Sequence, residues 1–529
     1  MTGRPTTWAT NAVVATPHHL ASQAGLRILQ DGGNAVDAAI AANATLNVMY
    51  PHQCHIGGDL FAIVWEPAAR RLQGLNSSGL APAGESIDRL RSLGHTSIPE
   101  RGALTVTVPG TVAGWHALHE RYGSLGLDRL LGPAIGYARD GAPMPGNFIG
   151  AVQRLRHVLE ANDAARDVFL SGVTRPGDIM RQPALAETLI RVGQNGPDGF
   201  YRGPVADDIV ATLGGGGSVM SHDDLAGFQP EWVETVSTSY RGYELHQLPP
   251  NTQGATVLLM ASIVEGWDMQ ALGHVSTDAV HAAVETKLRA FAERDASIAD
   301  PRFYDVPLER FLDKHLAAAH RDAIEMQRTA ATSHPSDDGD TVYLCVVDRD
   351  GMAVSLIQSV YQNFGSGVVA PRSGVLFHNR GRGFTLDAEY PNALQPGKRP
   401  YHTLIPAMLM CEGRPALAFG TMGADAQAQV QLQLLLGFVD HGLLSDPQAA
   451  IEAPRWVSGA DAGAVPWLRI EPRFGTDVAD GLRSRGHNVV IGEDWDSGMG
   501  HAHAIVIDHE RGVLGGASDP RSDGAAVGV

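Results

Sequence analysis

The stretch Asp337-Asp338-Gly339-Asp340-Thr341-Val342-Tyr343-Leu344-Cys345-Val346-Val347-Asp348 sets a threonine where a polar segment meets a β-branched, apolar one. The residues before it, Ala330-Ala331-Thr332-Ser333-His334-Pro335-Ser336, offer nothing to bury, and Asp348-Arg349-Asp350-Gly351 after it suits a tight turn. A loop, a strand and a turn result, with Thr341 at the loop–strand junction. Two readings fit this local pattern. Thr341 is either the first residue of an ordinary strand or a nucleophile exposed by cleavage of the Asp340–Thr341 bond. In the second case its new α-amine, with an ordinary pKa of about 7.7–8.0, can serve as the base for its own hydroxyl.

Other residues could complete such chemistry. If the Asp-Arg-Asp-Gly turn makes a hairpin, Ser359 falls on the strand antiparallel to Thr341, and cross-strand hydroxyls come within reach of each other. Gly420-Thr421-Met422-Gly423-Ala424 ends a strand and opens a helix, where free backbone N–H groups can hold an oxyanion. Arg380, Arg382 and Arg399 crowd a glycine-rich span, and a planar guanidinium binds carboxylates in bidentate fashion. Each arginine taken alone also fits a surface ion pair.

The elements that must position these residues change character along the chain. Helices are predicted over Leu20–Gln30 and over the alanine-rich Ala35–Met49, with Asp31-Gly32-Gly33-Asn34 between them. A strand follows at Leu60–Trp65, a shorter one at Leu72–Leu75, and then a small-residue loop, Asn76-Ser77-Ser78-Gly79. Val108-Pro109-Gly110 opens a helix to about Tyr122, and the patterns from Leu127 to Val275 are mainly helical. Gly214–Gly217 reads as a surface turn, since it lacks the Lys-Ser/Thr of a phosphate loop, and Ser221 as a helix N-cap. The long helix from Thr277 to Ala296 carries Arg289, Glu293 and Arg294 on what reads as a solvated or bridged face. Beyond Thr341 strands dominate, at 341–348, 352–360, 404–410, 415–421, 467–471, 488–492 and 503–508, with helices at 424–439 and 478–485.

Composition narrows the classes. The chain has 529 residues, 44% hydrophobic and 19% charged, which is that of an ordered globular protein. A formal charge of −18 argues against nucleic acid or an anionic membrane as a partner. The cysteines, Cys54, Cys345 and Cys411, are too few for a disulfide framework and too scattered for a zinc site. His18 and His19 have no ligand-spaced partner, so they read as structural. No signal-peptide-like or membrane-spanning segment stands out, and a cytoplasmic location is the simplest expectation. Gly-x-Ser-x-Gly, His-Glu-x-x-His, paired-cysteine and dinucleotide motifs are missing.

Ordered along the chain are Leu29-Gln30-Asp31-Gly32-Gly33-Asn34-Ala35-Val36-Asp37-Ala38-Ala39, Pro109-Gly110-Thr111-Val112-Ala113-Gly114, Tyr240-Arg241-Gly242-Tyr243, Leu248-Pro249-Pro250, Phe364-Gly365-Ser366-Gly367, Ala453-Pro454-Arg455 and Gly516-Ala517-Ser518-Asp519-Pro520-Arg521. With these motifs the sequence resembles the γ-glutamyltransferase family of N-terminal-nucleophile hydrolases over essentially its whole length. The resemblance implies an α/β fold, a four-layer αββα sandwich, in a proenzyme that cuts itself between Asp340 and Thr341. Residues 1–340 would form a helix-rich large subunit and 341–529 a strand-rich small one, paired as a heterodimer. It further implies Thr341 as nucleophile, Ser359 as its supporting hydroxyl, Gly423 and Ala424 as the oxyanion pair, and no metal or organic cofactor.

The chain departs from the family's glutamate clamp. Ser78 stands where the family has its γ-glutamyl-binding arginine, and Tyr361 where it has an asparagine. Arg380 and Gly383 replace the glutamine and aspartate for the substrate α-amino group, and His402-Thr403 replaces a Ser-Ser pair. Loss of an acceptor for an ammonium and gain of Arg380 favour a small substrate with a carboxylate and no amino group. The pattern is closer to the branch that includes oxamate amidohydrolase. Genuine γ-glutamyl transfer or glutathione hydrolysis is the alternative, and a catalytically silent binding relative is the second.

Overall fold

Side chains of a strand alternate between its two faces, and in the strand Asp340–Val347 both faces are buried. Val342, Leu344 and Val346 join one apolar cluster, Tyr343, Cys345 and Val347 another. The computed structural model describes residues 3–330, 339–460 and 465–529 as one uncut chain, with Asp340 through its backbone alone.

Two seven-stranded antiparallel sheets make the two inner layers. One runs, in spatial order, through Ala525–Gly528, Val13–Thr16, Asp340–Val347, Ala353–Tyr361, Asp59–Glu66, Arg71–Ser77 and Glu231–Val233. The other runs through Thr7–Ala9, Val513–Ser518, Ala502–Asp508, Arg414–Thr421, Ala407–Cys411, Tyr243–Gln247 and Val236–Tyr240. Phe61, Ile63, Tyr343, Ile357, Met408, Ala418 and Ile505 fill the space between them. Helices His19–Gln30, Ala35–Met49 and Thr111–Tyr122 cover the first sheet, and Gly254–Val264, Thr277–Ser297 and Ala426–Leu435 cover the second. The result is the αββα sandwich. Each sheet combines strands from both sides of residue 340, so either portion alone would leave open sheet edges.

Asp348 shows how tightly the hairpin is tied to its cover. One carboxylate oxygen accepts the Asp350 and Met352 amides at 3.0 Å each, closing the turn. The other accepts the Ala35 amide at 2.8 Å, beside a capping box formed by Asn34 and Asp37. The Val-Val-Asp ending of this strand therefore fixes the start of the alanine-rich helix.

Several sequence expectations need correction. The region expected to be mainly helical contains the strands 231–233, 236–240 and 243–247, which complete the two sheets. Asn76 and Ser77 belong to the strand Arg71–Ser77, not to a loop, and Gly214 and Gly215 end a helix. Arg294 is buried and ion-paired with Asp295 and Asp425, the bridged and not the solvated of the two expected states. Strands 513–518 and 525–528 were hidden by their glycines. A Cβ on Gly516 would lie 2.6 Å from Val13, and one on Gly515 2.8 Å from the Trp8 ring, so close backbone approach excludes side chains there. The three cysteines are free, and among the described residues no helix is long and apolar enough to cross a membrane.

Replacing Ile505, fully buried between the sheets, by alanine is expected to cost about 2–5 kcal/mol. Denaturant unfolding should show a lower midpoint with an unchanged slope.

Candidate active site

Thr341 sits at an irregularity in the central strand pair. Asp340 opposes Tyr361 while Val342 opposes Gln358, so the Ala353–Tyr361 strand carries an extra residue opposite Thr341. Ser359 and Val360 share that place, which sets Ser359 beside the threonine as the hairpin reading expected. The Ser359 hydroxyl oxygen accepts the Tyr361 amide at 2.7 Å. Tyr361 then turns with φ of +77°, an uncommon conformation for a residue with a side chain.

The turn Gly423–Ala424 faces Thr341 from the other sheet. Both residues have positive φ, +125° and +45°, and neither amide donates to a protein group among the described residues. They precede helix Ala426–Leu435, whose N-terminal amides carry partial positive charge. From its first turn, Gln427 Nε2 donates to Thr341 Oγ1 at 3.4 Å. Gly339 packs directly on this turn, where a Cβ would lie 2.6 Å from that of Ala424. The peptide leading into Thr341 is thereby held beside the free amides, and Thr341 itself is 2% exposed.

A third wall is cationic. Arg380, 1% exposed, lies with its guanidinium carbon 3.4 Å from the centre of the Tyr361 ring. Its Nη1 approaches the Tyr401 carbonyl at 3.3 Å and Thr403 Oγ1 at 3.5 Å. Among the described residues its Nε and Nη2 have no hydrogen-bond partner. A buried guanidinium with donors left over is costly unless an anion answers it.

Two expected substrate contacts are committed inside the protein. His402 Nδ1 accepts the Leu404 amide at 3.3 Å and Nε2 donates to Asp59 at 3.0 Å. Burial, and after it the Arg380 charge, push His402 down to about 3, against the pull of Asp59, so the imidazole is neutral. Burial works against the Asp59 charge too, but His378 and His402 hold its carboxyl well below the usual range. The Ser78 hydroxyl donates to Asn76 at 2.7 Å, and its carbonyl accepts Arg399 Nε at 3.0 Å. Arg399 also pairs with Glu231 at 2.7 Å, which makes it a structural cation. The structure therefore groups Thr341, Ser359, Tyr361, Arg380, Thr403, Gly423 and Ala424, and sets Ser78 and His402 behind them. Residues 331–338 lie outside the described residues.

Four residues that sequence reasoning missed shape the site. Gln253 Nε2 donates to the carbonyls of Ala424 at 3.1 Å and Thr403 at 2.9 Å. Its oxygen accepts from Arg294 at 3.0 Å and the Tyr401 hydroxyl at 2.9 Å. Arg294 also pairs with Asp425 at 2.8 Å. This network clamps the Gly423–Ala424 turn from behind. Gln253 and Gln427 gave no motif signal; Arg294 and Asp425 lie far apart in sequence and meet through the fold alone.

Two apposed antiparallel sheets between helices, with a threonine heading a central strand against a turn of free amides, define an N-terminal-nucleophile hydrolase. The gamma-glutamyltranspeptidase family profile matches residues 21–529, and the chain belongs to that family. The glutathione hydrolase-like YwrD proenzyme of Bacillus subtilis (strain 168) is 41% identical over 524 residues, covering 98% of this chain and 99% of the relative. The oxamate amidohydrolase proenzyme of Klebsiella pneumoniae subsp. pneumoniae is 37% identical over 529 residues, with 98% and 99% covered. The crystal structure of cephalosporin acylase from Bacillus halodurans matches with a TM-score of 0.92 at 37% identity, covering 100% of this chain and 98% of that one.

Asp425→Leu should strand the buried Arg294 guanidinium with Asp295 as its remaining carboxylate partner. A loss of about 3 kcal/mol in denaturant unfolding is expected.

Proposed function

We propose that this protein is a self-processed amidohydrolase that cleaves an amide of a small carboxylate-bearing, oxamate-like substrate through an acyl-threonine. The observation that carries this reading is Arg380, buried against Tyr361 with two donors unanswered, on the same strand-end cluster as Thr341. A carboxylate docked there would satisfy both donors in bidentate fashion. A γ-glutamyl group brings an α-ammonium as well, and a guanidinium repels it. The oxamate amidohydrolase named among the relatives supports the smaller acid.

Processing comes first. Thr341 Oγ1 attacks the Asp340 carbonyl, the peptide C–N bond breaks as the ester forms, and water releases the Asp340 carboxylate. Gly339 packed on Ala424 supports this reading, because it holds the residue before Asp340 against the turn. The freed α-amine of Thr341 then takes the hydroxyl proton during attack on a substrate amide. The Gly423 and Ala424 amides carry the oxyanion, the amine returns the proton to the departing ammonia or amine, and water hydrolyses the acyl ester. Segments 1–340 and 341–529 remain together as a heterodimer through their interleaved strands. These residues supply nucleophile, base and oxyanion donors from the chain itself.

Wild-type protein on a denaturing gel should run as two bands, whereas Thr341→Ala stays at the full-length 56.1 kDa. Identical full-length bands for both would overturn the processed enzyme. Gly339→Val, pressed against Ala424, should fold yet cut markedly more slowly. On substrate, Arg380→Met is expected to lower kcat/KM for oxamate at least about 30-fold. Wild-type turnover of a γ-glutamyl anilide that exceeds turnover of oxamate would reject the small-acid assignment.

A further inference from the structure

A second cluster with chemical potential lies away from the nucleophile. His281 and Glu285 are one turn apart on a buried face of helix Thr277–Ser297, where i and i+4 side chains stack. His487 joins them from the connection between helix Thr476–Ser484 and strand Val489–Ile491. One ligand atom of each residue lies within 4.8 Å of the other two. The three are 0%, 1% and 8% exposed.

Three observations point to a cation. Glu285 is buried, yet among the described residues its carboxylate takes hydrogen bonds from neutral donors alone. These are the Thr329 hydroxyl at 2.7 Å and the Ala330 amide at 3.2 Å. Each oxygen keeps a lone pair, and a carboxylate held away from water calls for a positive partner. Next, the Glu325 carbonyl accepts His281 Nε2–H at 2.9 Å, which fixes the tautomer and leaves Nδ1 as a lone pair. That lone pair faces His487 Nε2 at 2.7 Å. A backbone carbonyl on the far nitrogen is the usual support of a metal-bound imidazole. Finally, two imidazoles with one carboxylate suit a divalent transition metal better than calcium or magnesium, which prefer oxygen alone.

We propose that His281 Nδ1, Glu285 and His487 Nε2 bind one zinc-like divalent ion, with water completing a tetrahedral shell. On binding, His487 adopts its Nδ1–H tautomer, and the two nitrogens separate from 2.7 Å to about 3.3 Å, as two ligands on one tetrahedral zinc require. His281 and Glu285 precede Thr341 in the chain and His487 follows it. The ion is therefore a staple between the two segments, and its ligands His281 and Glu285 also hold Glu325, Thr329 and Ala330. The site exists in the uncut chain and does not depend on the proposed substrate.

The test uses the untagged full protein, stripped with a chelator, dialysed, and titrated with Co2+ and separately with Zn2+. Cobalt should develop intense tetrahedral ligand-field absorption that saturates at one ion per chain. Zinc should displace it and raise the melting temperature, an effect that chelator reverses. His487→Ala should lose the absorption and the thermal shift, and Glu285→Gln should weaken cobalt binding at least tenfold. Cobalt spectra of the wild type that stay those of the aqueous ion would overturn the proposal, even were the variants to fail to fold. Saturation at one ion in a folded His487→Ala variant would overturn it equally.

Discussion

The site hangs on a single irregularity in the central strand pair. Side chains of a strand alternate faces, so a register change of one residue would send Thr341 or Ser359 to the wrong side. The extra residue opposite Thr341 resolves this. It lets Ser359 stay beside the threonine while Tyr361 swings out, its amide caught by the Ser359 hydroxyl. Tyr361 thereby becomes the platform on which Arg380 lies. The residues proposed as nucleophile, supporting hydroxyl and anion clamp are all positioned by one bulge.

Several buried charges elsewhere in the molecule are answered within the protein. Arg455 pairs with Asp519 at 2.7 Å, and Arg521 pairs with Glu471 at 2.7 Å, all nearly inaccessible to water. These pairs join the Ala-Pro-Arg and Ser-Asp-Pro-Arg motifs near the C-terminus into one structural network. Arg294 has Asp425, and His402 has Asp59. Arg380 differs from them, since among the described residues Nε and Nη2 face no acceptor. The contrast is what supports reading Arg380 as the guanidinium proposed to meet a ligand.

The Gly423–Ala424 turn depends on support that is indirect and dispersed. Both Gly423 and Ala424 have positive φ, a conformation that alanine adopts at some cost. Gln253 holds the Ala424 carbonyl, and the Arg294–Asp425 pair holds Gln253. A helix from the 1–340 segment thus braces a turn from the 341–529 segment. That dependence gives a physical reason for the two segments to stay interleaved.

Strong periodicity was legible in the sequence. The helices Ala35–Met49 and Thr277–Ser297, the hairpin around Asp348 and the strands near Thr341 came from apolar spacing and turn chemistry, forces that act within a few residues. The position of Thr341 at a loop–strand junction and the glycine turn at 423 were visible for the same reason. Strand 513–518 was not, because its glycines answer to Val13 and Trp8, neighbours that local sequence cannot reveal. Nor was it visible that Ser78 and His402 turn inward while Gln253 and Arg294 brace the site. Those outcomes are settled by which buried polar groups find partners across the sandwich, a competition decided once all four layers are assembled. The sequence by itself determined where the proposed nucleophile falls, at the head of a strand after a polar segment, and most of the elements around it. The tertiary structure decided which cation beside it keeps donors without a protein acceptor among the described residues, because only packing determines which charges are already satisfied.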